Sequence, residues 1–341
     1  MTGPIFDTIA DGAVRWLHQH LDRFRLSTEL RASDILQPPL LPERSCTACL
    51  RQRGCPDHPR HRYIDALWWG RALTPLTELA LASTAVLRAS DPRTDRHRLA
   101  HEMVDMIWKE IDAGEVLFAL LKAEPGEGSV LSLYAFLRER GRRHAGIEHI
   151  AAQLVTTRNW SAKEVAPFHL LARLTSQRAL GLPVEHVDLE EAITRTWLAR
   201  TPEPWLLDHH HAYALTHTVF YLTDWGRAPA HLPTALAAYL NDWLPCWSQV
   251  WCEEEDWDLL GELLAVDACL PQPTLDERLW NHLAQAQLPD GSIPGPRFPS
   301  RGIDQADGDA YTYNRHSTIV AAVAASWACA RAANRAATTI S

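Results

Sequence analysis

Apolar residues recur every three or four positions along nearly the whole chain, which is the spacing of one buried helix face. The pattern predicts helices over roughly 5–24, 62–88, 96–122, 129–139, 144–156, 162–180, 187–199, 207–224, 231–248, 254–268, 274–287 and 316–335. Pro, Gly and Asp punctuate the joints. No alternating run long enough for a strand interrupts this pattern. Two irregular stretches remain, 30–61 and 288–315, and loops of that length in a compact domain are usually functional or disordered. The expectation is one all-α domain over 1–341 with about twelve helices, a Cys- and Pro-rich loop at 30–61, and a frayed tail at 336–341.

A weak repeat refines the architecture. VAPFHLLARLTSQRAL (165–180) aligns without gaps to YALTHTVFYLTDWGRA (213–228), so that Ala166, His169, Leu174 and Thr175 match Ala214, His217, Leu222 and Thr223. The offset of 48 residues suits one helical hairpin with its loops, and another helix is expected to open at His316, about two offsets further on. Twelve helices in such pairs predict an α/α toroid, a closed ring of hairpins. The alternative is an irregular helical bundle.

The segment Gln287-Leu288-Pro289-Asp290-Gly291-Ser292 resembles the Q-x-x-D-G-S/G turn of terpenoid cyclases and protein prenyltransferase β subunits. In those families an irregular loop follows the turn, and an inner barrel helix then opens on Tyr, His and Thr. Here Tyr311-Thr312-Tyr313-Asn314-Arg315-His316-Ser317-Thr318 is followed by IVAAVAAS. The resemblance covers about 50 residues and implies the toroid. It carries no activity, because Ile293 replaces the usual aromatic and the acidic cyclase motif has only a loose counterpart in Glu253-Glu254-Glu255-Asp256. The zinc-binding Asp-x-Cys pair and later His of the prenyltransferases find a formal match in Asp267, Cys269 and His316, but Asp267 falls at a helix end. The segment THTVFYLTDWG separately resembles uncharacterised actinobacterial proteins.

Composition narrows the function. A net charge of -9 offers no basic face to phosphates, so no nucleic-acid partner is expected. No uncharged apolar run reaches 18 residues, and the opening segment lacks the features of a signal peptide. A cytoplasmic location with no membrane partner is the expectation, and thiols there would stay reduced unless they hold metal. Fourteen tryptophans supply rigid apolar surface for a core or a pocket.

Candidate chemistry gathers in four places. His209, His210, His211 and His217 lie in nine residues of one predicted helix, and His210, His217, Tyr221 and Asp224 share a stripe suited to a polar cavity. His210 and His217 are about two turns, roughly 10 Å, apart, so a metal there would need ligands from other helices. His211 and His217 are the candidate ligands of such a catalytic metal, whose identity stays open. The structural alternative is histidines hydrogen-bonded in the core or at a helix start capped by Asp208. Asp258 and Glu262, at i and i+4, face one way, though acidic residues also favour helix starts on dipole grounds. Asp304, Asp307, Asp309, Tyr311, Tyr313 and His316 crowd a further loop and helix start. Cys46, Cys49, Cys55 and His58 have the spacing of a structural zinc site, and Cys246, Cys252, Cys269 and Cys329 read as buried thiols.

These residues point to an enzyme of specialised metabolism that acts on a small molecule or modified peptide. His217 would be general acid/base or metal ligand, with His210, Asp224, Asp258, His316 and Tyr313 in support. The chemistry would be acid–base cyclisation or elimination, or metal-assisted oxidation or hydrolysis. The alternative is a non-catalytic helical-repeat scaffold, which would keep its histidines in the core or on an outer face.

Overall fold

The computed structural model describes residues 3–26, 66–126, 128–184, 186–296 and 309–340. Every regular element in them is helical. The α-helices are α1 (Gly3–Gln19), α2 (Ala66–Ala89), α3 (Asp95–Glu110), α4 (Glu115–Ala123), α5 (Ser129–Glu139), α6 (Ala145–Leu154), α7 (Arg158–Ala162), α8 (Pro167–Ala179), α9 (His186–Thr194), α10 (His209–Leu222), α11 (Thr234–Glu253), α12 (Trp257–Cys269), α13 (Glu277–Ala286) and α14 (Ala310–Ile340).

Six of these close a ring. α2 packs on α5, α5 on α8, α8 on α10, α10 on α12, α12 on α14, and α14 returns to α2. The others lie outside, with α1 against α14, α3 against α2, α9 against α8 and α11 against α12. This is an α/α toroid. The repeat at an offset of 48 marks adjacent inner helices: His169 on α8 and His217 on α10 both line the central cavity, as does Ala265 on α12, a further 48 residues on.

Composition explains which helices go inside. α14 touches α1, α2 and α12 at once and carries Ala321, Ala322, Ala324, Ala325 and Ala328, all fully buried. Small side chains let three neighbours approach. α13 has an outer helix's two faces: Leu279, Trp280 and Leu283 are buried, and Phe6 of α1 meets the Trp280 ring edge-on at 4.8 Å.

The element boundaries differ from expectation where local geometry intervenes. The helix expected over 96–122 breaks into α3 and α4, because Asp112, Ala113 and Gly114 all take left-handed φ angles. The segment 162–180 divides at Pro167, which stands at the first turn of α8. α10 ends at Leu222, and Asp224, Trp225 and Gly226 follow with positive φ. α14 opens at Ala310, so His316 lies in its second turn rather than at its start, and the helix runs through the expected tail to Ile340.

The Gln287–Ser292 turn joins the two ends of the chain. The Gln287 side-chain amide donates to the carbonyls of Ile9 (3.1 Å) and Gly291 (2.9 Å), and the Trp16 indole donates to Asp290 Oδ2 at 3.2 Å. On the other side, Ile293 N–H donates to Thr318 Oγ1 at 3.0 Å and Gly295 N–H to Asn314 Oδ1 at 3.2 Å. α1 and α14 are thus fastened through one turn. Gly291 has φ +95°, and a Cβ there would lie 2.3 Å from the Gly12 carbonyl oxygen.

Gly291→Ala is therefore expected to cost about 3 kcal/mol or more, through a clash with backbone added to left-handed strain. Gly141→Ala is the comparison, since Gly141 has φ +79° with nothing within 4 Å of its would-be Cβ. It should cost only about 1–2 kcal/mol. Equal losses in urea unfolding would show that the approach of this turn to α1 does not matter.

Candidate functional site

The ring encloses a cavity of about 640 Å³, which is the size of a small-molecule site. Much of its wall is apolar, and one group of polar residues lies where α2, α10, α12 and α14 meet. Asp258 and Glu262 are one turn apart on α12 and do face one way, toward α10 and α14.

Asp258 is buried and accepts three hydrogen bonds. His316 Nδ1 donates at 2.8 Å, Ser317 Oγ donates at 2.8 Å, and the Tyr213 hydroxyl donates to the other oxygen. Burial opposes the charge on Asp258, yet the His316 cation and these donors hold its carboxyl below the usual range. Burial likewise opposes charge on His316, but the Asp258 carboxylate prevails, with Glu78 and Glu262 adding, and the imidazole is pushed up to about 10. Glu78 Oε1 lies 3.9 Å from His316 Nε2. At neutral pH the pair is an imidazolium on a carboxylate.

Glu262 behaves in the opposite way. Its side chain is 3% exposed, and burial pushes it up to about 8; Asp258 adds to the rise and His316 opposes it. It therefore carries a proton at pH 7. Thr216 Oγ1 is bonded to Glu262 Oε2 and stands 3.2 Å from His217 Nδ1. His217 Nδ1 donates to the Tyr213 carbonyl at 2.9 Å, which leaves the lone pair on Nε2. Although it lies deep in the ring, the His217 side chain keeps 29% of its surface exposed in the cavity. Burial pushes it down to about 4, and the His316 cation contributes. A protonated acid and a neutral base thus stand 3.7 Å apart, Glu262 Oε2 to His217 Nδ1. Environments that separate proton affinities in this way are characteristic of acid–base sites.

Residues 69–326 match the model of a family described as a domain of unknown function, DUF6895. The chain belongs to the DUF6895 family. That description carries no activity, and neither the curated proteins nor the solved structures include a match. Among the described residues of this DUF6895 member, no helix is long and apolar enough to cross a membrane.

The structure separates the expected site residues. Asp258 and His316 are in contact, and His217 flanks them, with the rings of His217 and His316 each 6.4 Å from Tyr213. Asp224 lines the cavity nearer its other end, where it pairs with Arg227 at 3.2 Å. His210 does not belong to this group, because it is exposed at the start of α10, where its ring meets His211. Nor are His211 and His217 brought together as metal ligands. His211 pairs with Asp208 at 2.8 Å and stacks on Trp197, whereas His217 faces the cavity. Tyr313 turns its hydroxyl to the Pro296 carbonyl. Asp256 caps α12 through the Leu259 N–H and accepts from His209 Nε2 at 2.8 Å.

Asp267, formally matched to a zinc ligand, instead accepts from the backbone of Thr274 and Leu275. Among the described residues no three His, Cys, Asp or Glu are placed to hold a metal ion. Cys46, Cys49, Cys55 and His58, together with Asp304 and Asp307, lie outside the described residues. Cys252 and Cys269 are buried as expected, Cys329 is half-buried, and Cys246 is exposed.

Sequence reasoning did not assign roles to Glu262, Glu78, Tyr213 or Thr216. Glu262 had a signal in its i+4 spacing from Asp258. Glu78 had another, as the one acidic residue in the 24-residue helix α2. Tyr213 and Thr216 had none, because their importance comes from what α12 brings to them.

The protonation states predict a pH dependence. Glu262 holds its proton to about pH 8 in the fold but ordinarily loses it near 4.5, and His316 holds its proton to about 10 rather than 6.5. In both cases the folded state binds more protons, so stability falls as pH rises, and both contribute between pH 6.5 and 8. The share of Glu262 over that window is about 2 kcal/mol. Glu262→Gln should accordingly make unfolding in urea less sensitive to pH between 6.5 and 8. An unchanged dependence would mean that Glu262 is ionised in the fold.

Proposed function

We propose that this DUF6895 protein is an enzyme that binds a small molecule in the ring cavity and transforms it by proton transfer. One observation carries the reading: Glu262 and His217 line the same cavity with opposite departures from their ordinary proton affinities. Glu262 is the proton donor and His217 Nε2 the acceptor. The His316 cation, oriented by Asp258, stabilises negative charge that develops on the substrate. Such a set suits elimination, isomerisation or acid-initiated cyclisation, in which one proton is added and another removed.

The scaffold reading predicts histidines confined to the core or the outer face. His209, His210 and His211 fit it, but His169, His217 and His316 line the cavity and favour an enzyme. The likeness to terpenoid cyclases and prenyltransferases supports the toroid, and its signature turn fastens α1 to α14 through Asn314 and Thr318 rather than through the acid–base groups. Catalysis is therefore assigned to this chain's own residues.

The test is a screen of metabolite pools for turnover by mass spectrometry, repeated with Glu262→Gln and His217→Ala. Removing a positioned acid or base is expected to cost about 10²-fold or more in kcat. The same turnover in folded Glu262→Gln protein would dispose of the assignment.

A structural zinc on Cys46, Cys49, Cys55 and His58 is a separate proposal, supported by spacing alone. Purified protein should hold one equivalent of zinc and lose it on Cys49→Ser. Metal analysis finding none would end it.

A further inference from the structure

The cavity has a second polar end. Arg88, at the close of α2, donates Nε to Glu139 Oε1 at 2.8 Å and Nη2 to Oε2. Arg140 bonds the same carboxylate, and Arg227 Nη1 approaches it at 3.5 Å. Arg227 also pairs with Asp224. Three guanidinium groups thus share Glu139 and Asp224, which leaves one positive charge in excess. Donor capacity is left over as well: among the described residues, Arg88 Nη1 and Arg140 Nε have no hydrogen-bond partner. Arginine at a helix C-terminus commonly just offsets the dipole. Arg88 and Arg227 differ in that both line the cavity that holds Glu262 and His217.

The two ends are well separated. Glu78, beside His316, and Arg88 lie ten residues apart on α2, which is about 15 Å along the helix axis. Elsewhere the wall is largely apolar and partly aromatic, with Leu81, Phe220, Val320, Val323, Trp225 and Trp327, and small hydroxyl groups such as Thr175 and Ser176 interrupt it. The Phe220 ring stacks on Trp225 at 6.0 Å and meets Trp327 edge-on at 5.5 Å. A site that is cationic at one end, apolar along its length and acid–base at the other selects by shape and charge together.

We infer that the ligand is an elongated amphiphile with an anionic head group at Arg88 and Arg227 and an apolar body that reaches toward Glu262 and His217. This rests on the reading of the cavity as a substrate site. Guanidinium groups recognise a carboxylate or a phosphate through paired N–H donors, the chemistry that both head groups share. The anion anchors the molecule and takes no part in the proton transfer, which falls at the far end of the chain.

The experiment is titration calorimetry at pH 7 with dodecanoate, dodecyl phosphate, dodecanol and dodecylammonium. At least one anion is expected to bind tenfold or more tightly than dodecanol, and the better of the two names the head group. Arg227→Gln should reduce that preference to threefold or less while leaving the affinity for dodecanol unchanged. Arg88→Gln serves as a second variant, with circular dichroism to confirm that it folds. Dodecanol or dodecylammonium binding as tightly as both anions, or a preference that survives both substitutions, would overturn the inference. Glu262→Gln should retain the affinity for the anion. Its retention of turnover would remove the acid–base reading but not the amphiphile, whereas loss of anion preference in wild-type protein would do the reverse.

Discussion

The Asp258–His316 pair spans the seam where the ring closes, because α14 is the last inner helix and must fit between α12 and α2. A buried ion pair is costly to desolvate and holds only when further hydrogen bonds meet its remaining groups. Tyr213 and Ser317 supply them here. Three helices are thereby tied to one carboxylate, and a slip of α14 by one residue would strand its charge. Close packing reinforces this register, since a Cβ on Gly261 of α12 would lie 2.9 Å from Val320 of α14.

His316 of that pair also lines the cavity. Burial keeps the proton on Glu262, and the Asp258 charge one turn away adds to this while the His316 cation opposes it. Burial likewise keeps His217 neutral, and the His316 cation contributes. Burial next to one structural ion pair thus leaves an acid and a base side by side. The cavity gains chemical polarity along its length from the remote arginines, whose charges Glu139 and Asp224 balance only in part.

Parts of this site were legible in advance. Asp258 and His316 stood out because an acidic helix start and a helix following an irregular loop each carried a titratable residue, and His217 stood out through its recurrence as His169. The stripe through His210 failed for a simple reason. Helical phase says which residues share a face, but not how much of that face the neighbouring helices cover, and α10 emerges into solvent before His210. Residues that act through partners far away in sequence left no local trace, as with Glu78, 180 positions or more from the residues that it faces on α12 and α14.

The sequence by itself determined that the chain is helical, where most helices lie, and that α8 and α10 are equivalent, because a period of 3.6 residues and a repeat can be read within single segments. Only the tertiary structure decided which carboxyl group keeps its proton and which histidine stays neutral. Proton affinity depends on burial and on charges contributed by other helices, and those neighbours exist only once the ring has closed.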